Sequence, residues 1–258
     1  MSQAALSHQI KALERQLGTS LFHRLPRGVA LTDEGAALAP VLGEAFDRIA
    51  AILERFADGR YREVLSVGVV GTFATGWLLP RLPAFHAAHP DIELRLSTHN
   101  NRVDLAGEGL DLAIRFGDGD WQGQIAHALM EAPFAPVCAP SMARGLRTPA
   151  DLAQLPLLRS YRVDEWPRWF RAAGVAEVAA RGAMFDSSLT LASAAAAGSG
   201  VALLPLPMFR QDLDAGRLVC PFPIQIDAGR YWLTHLRSRP ADGPALGFHR
   251  WLVRTLST

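Results

Sequence analysis

Short polar side chains and a cation recur at helical spacing near the start of the chain. These residues are Gln3, Ser7, His8 and Lys11. Residues three and four apart share one face of a helix, and such a face can hydrogen-bond base edges in a DNA major groove. Gln3, Ser7 and His8 are the candidates for the base edges. Lys11 could contact phosphates, as could Arg24 and Arg27, which follow in a turn, R-L-P-R-G. The alternative is an ordinary solvated helix face beside a basic turn.

A second group of polar residues follows predicted strands. It comprises Gly71, Thr72, Phe73, Asn100, Asn101, Asp104 and Arg115, and, in a later part of the chain, Ser187, Ser188 and Tyr231. Ligands of α/β domains bind at the carboxyl ends of strands. Ser187 and Ser188 open a predicted helix, whose N-terminus favours an anion such as a carboxylate. These residues therefore predict a polar binding cleft.

Each cleft residue also has a structural alternative. Thr72 and Asp104 could cap helices, as could Ser187 and Ser188. Tyr231 could be a core residue whose hydroxyl reaches the surface. Arg115 could brace its own domain by pairing with Asp111 or Asp118, residues that precede and follow it closely.

Motifs for catalysis are absent from the sequence. It contains no G-x-S-x-G, H-E-x-x-H, Walker A or G-x-G-x-x-G motif. His86 and His89 could share a helix face, but the sequence suggests no third zinc ligand. We therefore expect no metal, no cofactor and no enzyme activity. A solute-binding protein or an enzyme is the alternative class.

The charge of the chain is concentrated at its N-terminal end. The 258 residues carry a net charge of +1, whereas residues 1–28 hold four basic residues against one acidic residue. Only this end is therefore expected to meet an anionic partner. The sequence shows neither a secretory signal nor an unbroken apolar span, so we expect a cytoplasmic protein without membrane contact.

The periodicity of apolar residues predicts the elements that position these side chains. Leu6, Ile10, Leu13 and Leu17 form the apolar stripe of a helix that Gly18 ends. LFHRLPRGVALT predicts a basic hairpin. Thr32 should cap a long helix, with Pro40 producing a kink or a late start. Strands alternating with helices from Val64 onward predict α/β domains with largely parallel sheets.

The long helix carries a heptad-like apolar seam. Its members are Leu38, Leu42, Phe46, Ile49, Leu53 and Phe56. Such a seam can pair with a second chain, and the alternative is packing against its own domain. Asp58 and Gly59 are expected to end the helix.

The segment SQAALSHQIKALERQLGTSLFHRLPRGVALTDEG resembles the signature of LysR-type transcriptional regulators, from the recognition helix through the wing to the linker helix. The segments VGTFATGWLLPRL, LRLSTHNNRVDLAGEGLDLAIRFG and GVALLP resemble the β-lactamase regulator subgroup, which responds to cell-wall fragments. The likeness covers nearly the whole chain.

The resemblance implies a domain organisation. It predicts a partial winged helix-turn-helix over 1–31, a linker helix for dimerisation over 32–59, and an effector domain over 64–258 with two lobes like those of periplasmic binding proteins. Lobe I would be 64–137 and 227–258, and lobe II would be 138–226. The chain would cross between them near Cys138 and Ile226.

The resemblance also implies roles and partners. Thr72, Asp104, Ser188 and Tyr231 match effector-sensing positions, and Gly71 matches a position where substitution biases the switch. The expected partners are promoter DNA, a muropeptide-like effector, RNA polymerase and further copies of the chain in a dimer or tetramer. The expected target is a divergently transcribed β-lactamase gene.

The sequence departs from the family pattern at its first residues. Family members carry a helix and the first half of the helix-turn-helix before SQAALSHQI. That helix covers the apolar stripe formed by Leu6, Ile10, Leu13 and Leu17. Burial of each such side chain contributes about 1.5 to 3 kcal/mol. We therefore expect Met1 to be a misplaced start, and the alternative is a truncated regulator that no longer binds DNA.

Overall fold

The structure is a computed structural model that describes residues 3–25, 28–57, 63–162, 164–176 and 178–257. The chain forms two compact units, Met1–Tyr61 and Arg62–Thr258, and each is described by itself. The first contains a helix, a hairpin and a long helix, and the second is built around a mixed sheet.

The first unit begins with the predicted helix and hairpin. Helix α1 spans Gln3–Leu17 and ends at Gly18, whose φ of 71° places it in the left-handed region that favours glycine. Strands β1, Phe22–Leu25, and β2, Gly28–Leu31, pair antiparallel. The prediction of a helix followed by a hairpin is confirmed.

Helix α2 spans Asp33–Ala57 and begins where the cap residue predicts. Thr32 Oγ1 accepts a hydrogen bond from the Gly35 amide at 3.0 Å and donates to the Ser20 carbonyl at 2.7 Å. Pro40 lies inside the helix. The sequence predicts either a kink or a late start of the helix at this proline, and the late start is wrong. Asp58 and Gly59 lie outside the described residues.

The second unit contains a six-stranded sheet in the order β4-β3-β5-β10-β6-β9. Its strands are β3 Glu63–Val70, β4 Ile92–His99, β5 Leu112–Gly117, β6 Gln124–Val137, β9 Ala202–Pro205 and β10 Ile226–Leu236. Strand β3 is parallel to β4 and β5, whereas β10 is antiparallel to β5 and β6, and β6 is antiparallel to β9. The prediction of largely parallel sheets is wrong, because β10 runs antiparallel between β5 and β6, and β9 runs antiparallel to β6 at the edge of the sheet.

A smaller sheet lies in the same unit. Strands β7, Arg159–Ser160, and β8, Met184–Phe185, pair in parallel. Strand β6 begins well before the predicted segment FAPVCAP, and its first part pairs with β10 while its last four residues pair with β9. The two long strands therefore connect the part of the sheet around β3 with the part around β9.

Seven α-helices are present among the described residues of this unit. They are α3 Gly71–Phe73, α4 Leu82–Ala88, α5 Pro140–Ala143, α6 Glu165–Ala172, α7 Ser188–Ala196, α8 Arg210–Asp214 and α9 Gly243–Leu256. Shorter 3-10 segments span Leu79–Arg81, Pro149–Gln154 and Leu206–Phe209.

The helix expected from Trp77 to Ala88 begins earlier and is irregular. A π turn, Ala74–Leu78, and a 3-10 turn separate α3 from α4. Pro80 and Pro83 lack the backbone N–H that a regular helix needs. The short helix expected over 103–107 is wrong, because residues 105–109 form a hydrogen-bonded turn.

Aromatic rings form the core on both sides of the long strands. Phe85 contacts Phe248 and Trp251 edge to face, with ring centroids 5.2 and 5.1 Å apart. Trp169 and Phe170 of α6 are fully buried, and Trp169 donates a hydrogen bond to the Ile224 carbonyl at 2.9 Å. These clusters hold the helices against the sheet and so fix the loops that follow its strands.

Candidate functional site

The structure brings five of the predicted cleft residues to one small cavity. We call it the narrow cavity. It is lined by Val70, Thr72, Asn100, Phe116, Phe134, Tyr161, Arg162, Asp186, Ser187, Ser188, Pro205 and Tyr231. Its volume of about 20 Å³ is little more than a single water molecule requires. The described conformation of the cleft is therefore closed.

One hydrogen bond and one close approach join the two sides of the narrow cavity. Asn100, which follows β4, donates from Nδ2 to Oδ2 of Asp186, which follows β8, at 2.9 Å. On the same side, a Cβ added to Gly71 would lie 3.5 Å from Cδ1 of Leu189 in α7. The six-stranded and the two-stranded sheet therefore meet across this cavity.

Tyr231 and Thr72 form the buried wall of the narrow cavity. Tyr231 is 1% exposed, and its ring packs against Phe73 and Phe116 with centroids 5.0 and 5.3 Å apart. Burial raises the pKa of the Tyr231 hydroxyl, so at neutral pH this group is protonated and can donate a hydrogen bond. Phe73 lies in the core beneath it and does not line the cavity.

Thr72 has no capping role. Val70 occupies the N-cap position of α3, and no side chain caps that helix. Thr72 is buried and lines the narrow cavity. The alternative interpretation of Thr72 as a helix cap is wrong.

Ser187 and Ser188 stand at the beginning of α7. Ser187 is the N-cap residue, and its Oγ accepts a hydrogen bond from the Leu189 amide at 3.2 Å. Ser188 is the first residue of the helix, and both serines line the narrow cavity. The helix N-terminus adds a partial positive charge there, so the capping role and a role in binding an anion are compatible.

Asn101 and Arg115 brace the loops around the cavity. The Asn101 side chain accepts from the Phe116 amide at 2.8 Å and donates to the Phe116 carbonyl at 2.6 Å. Arg115 lies over the Trp121 ring at 4.6 Å and bonds to the Asn101 carbonyl at 3.3 Å. The alternative for Arg115, a pairing with Asp111 or Asp118, is wrong in its choice of partner.

Neighbouring groups explain the orientation of Arg115. Asp111 instead pairs with Arg239 at 3.1 Å. Burial lowers the pKa of Arg115, and only 8% of this residue is exposed. Stacking on an aromatic ring suits a guanidinium that has little access to water.

Asp104 lies outside the narrow cavity. Its Oδ1 accepts hydrogen bonds from the Ala106 and Gly107 amides at 3.1 and 3.0 Å. The residue is exposed and stabilises the turn that replaces the expected helix. This geometry favours the structural alternative for Asp104.

Arg162 is the main cleft residue that sequence reasoning missed. Its guanidinium lies 4.6 Å from the centre of the Phe116 ring and 3.6 Å from Oε1 of Glu165. Burial raises the pKa of Glu165, and Ser160 Oγ donates to its other oxygen at 2.7 Å. Arg162 follows strand β7, just as the predicted cleft residues follow their own strands. A search for polar residues after the predicted strand LLRSY would therefore have identified it.

The proposed base-reading face lies on α1. Ser7, His8 and Lys11 are exposed. The side chains of Gln3 and Arg24, and Arg27 as a whole, lie outside the described parts of the chain. The apolar stripe is exposed as well, with Leu6, Leu13 and Leu17 at 48%, 38% and 49%.

The described ranges of the chain hold neither a candidate metal centre nor a candidate membrane span. In these ranges no group of three histidine, cysteine, aspartate or glutamate residues is arranged to hold a metal ion. Over the same ranges, no helix combines the length and the apolar character needed to cross a membrane.

The first unit presents a helix and a hairpin with an exposed polar face, and the second encloses a polar cleft. Together these features define a ligand-controlled DNA-binding regulator. The family comparison agrees. Residues 1–36 match the family "Bacterial regulatory helix-turn-helix protein, lysR family", and residues 58–257 match the LysR substrate binding domain. The chain belongs to the LysR family of transcriptional regulators.

The similar proteins include characterised regulators. The chain is 56% identical over 255 residues to the HTH-type transcriptional activator AmpR of Pseudomonas aeruginosa, covering 98% of this chain and 86% of that protein. It is 48% identical over 239 residues to a carbapenem-hydrolyzing β-lactamase transcriptional activator of Serratia marcescens, covering 93% and 82%. These relatives are regulators and not enzymes, which confirms the expectation for this chain.

Solved structures show the same architecture. The effector domain of AmpR from Pseudomonas aeruginosa matches with a TM-score of 0.74 and 53% identity, covering 76% of this chain and 96% of that one. The regulator CrgA of Neisseria meningitidis shares the fold over 100% of this chain and 91% of its own, with a TM-score of 0.64 and 24% identity. The predicted family and the fold, a helix-turn-helix with a two-lobed effector domain, are confirmed.

Proposed function

We propose that this protein activates transcription of a β-lactamase gene in response to a small cell-wall effector. The observation that supports it most directly is the narrow cavity, whose wall combines Thr72, Ser188, Tyr231 and Arg162. Three hydroxyls, a helix N-terminus and a guanidinium are suited to a ligand that carries carboxylates and amides. A relative named as a transcriptional activator of a carbapenem-hydrolyzing β-lactamase supports a β-lactamase gene as the target.

We place the lobe boundaries beside the point where β6 passes from pairing with β10 to pairing with β9. Ile226 at the start of β10 pairs with Phe134 of β6, and beyond that point β6 pairs with β9 instead. Lobe I is then 64–137 with 227–258, and lobe II is 138–226. The narrow cavity lies between these lobes, because its residues come from both.

Binding must change the cleft, since about 20 Å³ cannot hold a peptide or a sugar. The lobes must part, or side chains must move, before an effector enters. An effector with different affinities for the open and closed forms shifts their equilibrium. We infer that this shift alters the spacing of the DNA-binding units and hence DNA bending and recruitment of RNA polymerase.

The effectors we propose are muropeptides for activation and a nucleotide-linked muropeptide precursor for repression. Peptide carboxylates would meet Ser187, Ser188 and Arg162, and an amide or hydroxyl would meet Tyr231. The regulator would work in the cytoplasm, where promoter DNA is present.

The proposed dimer forms through α2. Phe46 and Ile49 of the predicted seam are exposed by 65% and 51%, and Val41 beside them by 61%. A helix that leaves such residues in water is stabilised by a second copy of itself. A tetramer would add contacts between effector domains.

Binding of the purified chain to its own promoter tests the regulator. We expect a preference over random DNA and an affinity that falls as salt rises, because phosphate contacts release counterions. Lys11→Ala should reduce the slope of log affinity against log salt by about one unit, while Arg210→Ala, an exposed position in the effector domain, should leave it unchanged. Equal affinity for promoter and random DNA would contradict the proposed regulator.

A further inference from the structure

A second cavity lies beside the narrow one, and we call it the tryptophan cavity. Its volume is about 760 Å³, which is typical of small-molecule sites. Trp121 and Trp232 line it, and it shares Arg162 and Phe116 with the narrow cavity. Arg162 therefore stands where the two cavities meet.

The tryptophan rings are held in place. Trp232 donates from Nε1 to the Gly117 carbonyl at 3.0 Å, and a Cβ added to Gly119 would lie 2.6 Å from its ring. Trp121 packs closely on Gly117 and carries the Arg115 guanidinium over its ring at 4.6 Å. Rigid aromatic surfaces lose little conformational entropy when a ligand packs on them.

The polar groups of the tryptophan cavity include both hydrogen-bond donors and hydrogen-bond acceptors. Arg162, Arg168 and Arg230 supply donors, while Asp118 and Asp227 supply carboxylate acceptors. Each of the two aspartates accepts one backbone amide through Oδ1, at 3.1 Å for Asp118 and 2.9 Å for Asp227, and its carboxylate has capacity for more bonds.

The arginines already have acidic neighbours, which lowers their attraction for a free anion. Arg230 pairs with Glu131 at 2.6 Å, Arg162 with Glu165 at 3.6 Å, and Arg168 with Asp164 at 3.7 Å. A phosphate would also meet the carboxylates of Asp118 and Asp227. A ligand whose groups both donate and accept hydrogen bonds fits this cavity better than a phosphate.

We propose that the tryptophan cavity binds the sugar ring of the effector. Sugar hydroxyls donate to Asp118 and Asp227 and accept from Arg168 and Arg230, while the C–H face of the ring packs on indole. The assignment rests on the proposed muropeptide function. It adds that the peptide lies on the Ser187 side of Arg162 and the sugar on the Trp121 side.

Calorimetric titration of the full chain with two probes tests this assignment. One probe is an N-acetylmuramyl peptide, and the other is the same peptide without its sugar. We expect Trp121→Leu to weaken binding of the sugar-bearing probe about tenfold and to leave the sugar-free peptide unchanged, which also shows that the variant is folded. Trp121→Phe retains a ring and should restore most of the affinity.

The outcomes separate this assignment from the proposed function. If the native chain binds neither probe, the muropeptide function and the sugar site both fail. If it binds both, and Trp121→Leu weakens them equally or not at all, the sugar site alone is wrong. Binding of uridine diphosphate that Trp121→Leu weakens, with the sugar-bearing probe unaffected, would assign the cavity to a nucleotide and overturn the proposal.

Discussion

Asn100 donates a hydrogen bond to Asp186 at 2.9 Å, and this bond joins the loop after β4 to the loop after β8. In the proposed lobe assignment the two residues belong to lobes I and II, on opposite sides of the narrow cavity. Both are exposed, so water can replace either partner when the lobes separate. The bond therefore favours the closed cleft by a modest amount.

Asn100→Ala should shift the cleft toward its open form. Loss of a hydrogen bond worth about 1 kcal/mol changes the closed-to-open ratio roughly fivefold. Hydrogen exchange of the amides in the first turn of α7 should rise by a similar factor. Asp104→Ala, in an exposed turn outside the cavity, is the matched control. Unchanged exchange in Asn100→Ala would show that other contacts keep the lobes closed.

Thr72→Val should weaken effector binding without weakening DNA binding. The substitution keeps the shape of the side chain and removes a hydroxyl from the cavity wall, so muropeptide affinity should fall about tenfold. Thr255→Val is the control, because the Thr255 hydroxyl bonds to the Trp251 carbonyl in α9. Titration calorimetry and promoter binding report the two activities separately. Equal muropeptide affinity in both variants would remove Thr72 from the sensor.

Gly76→Ala should destabilise the effector domain. An added Cβ would lie 2.7 Å from the Cα of Met208, so the segments that meet there must move apart. Overpacking of this kind costs about 1 to 3 kcal/mol, and the Tm should fall by roughly 5 °C. Gly145→Ala is the control, since nothing lies within 4 Å of its added Cβ. Equal Tm values for Gly76→Ala and Gly145→Ala would show that the contact relaxes without loss of stability.

Acidification should destabilise the effector domain through a histidine cluster. His127 Nε2 lies 3.4 Å from His235 Nε2, and the His249 ring lies 4.7 Å from that of His127. Burial, followed by the charge of neighbouring histidines, lowers the pKa of His127 and His249 from the ordinary value of 6.5. Below that pH the unfolded chain binds protons that the folded domain resists, so stability is lost as the pH falls.

The Tm measured between about pH 7.5 and pH 5.5 tests the cluster. His249→Gln should flatten its fall, because one of the two rings with a lowered pKa is removed. His86→Gln, an exposed position outside the cluster, should retain the native dependence. A pH dependence that is identical in all three proteins would contradict the role of the cluster.

Phe46→Glu should prevent pairing of the long helices. Phe46 is 65% exposed in the single chain, and a carboxylate at a paired seam would be desolvated and would face its own copy. Light scattering should show a smaller species than the native protein. Ala36→Glu, at an exposed position near the start of α2, is the control. A mass equal to that of the native protein would exclude this seam as the interface.

Local features of the sequence determined the family, the element order and five of the residues that line the narrow cavity. Thr32 caps α2 and Gly18 ends α1, because capping and left-handed backbone depend on the residue itself and its near neighbours. Thr72, Ser187, Ser188 and Tyr231 were found because each follows or lies on a recognisable strand or helix start.

Tertiary structure decided which polar residues face the cavity. Asp104 bonds to its own turn, and Arg115 lies on Trp121 instead of pairing with Asp111, because these choices depend on partners that folding brings close. Arg162 enters the cleft from a different sheet, and the antiparallel course of β10 between β5 and β6 is a long-range pairing. Hydrophobic periodicity reports which residues are buried, but it carries no information about the strand against which they pack.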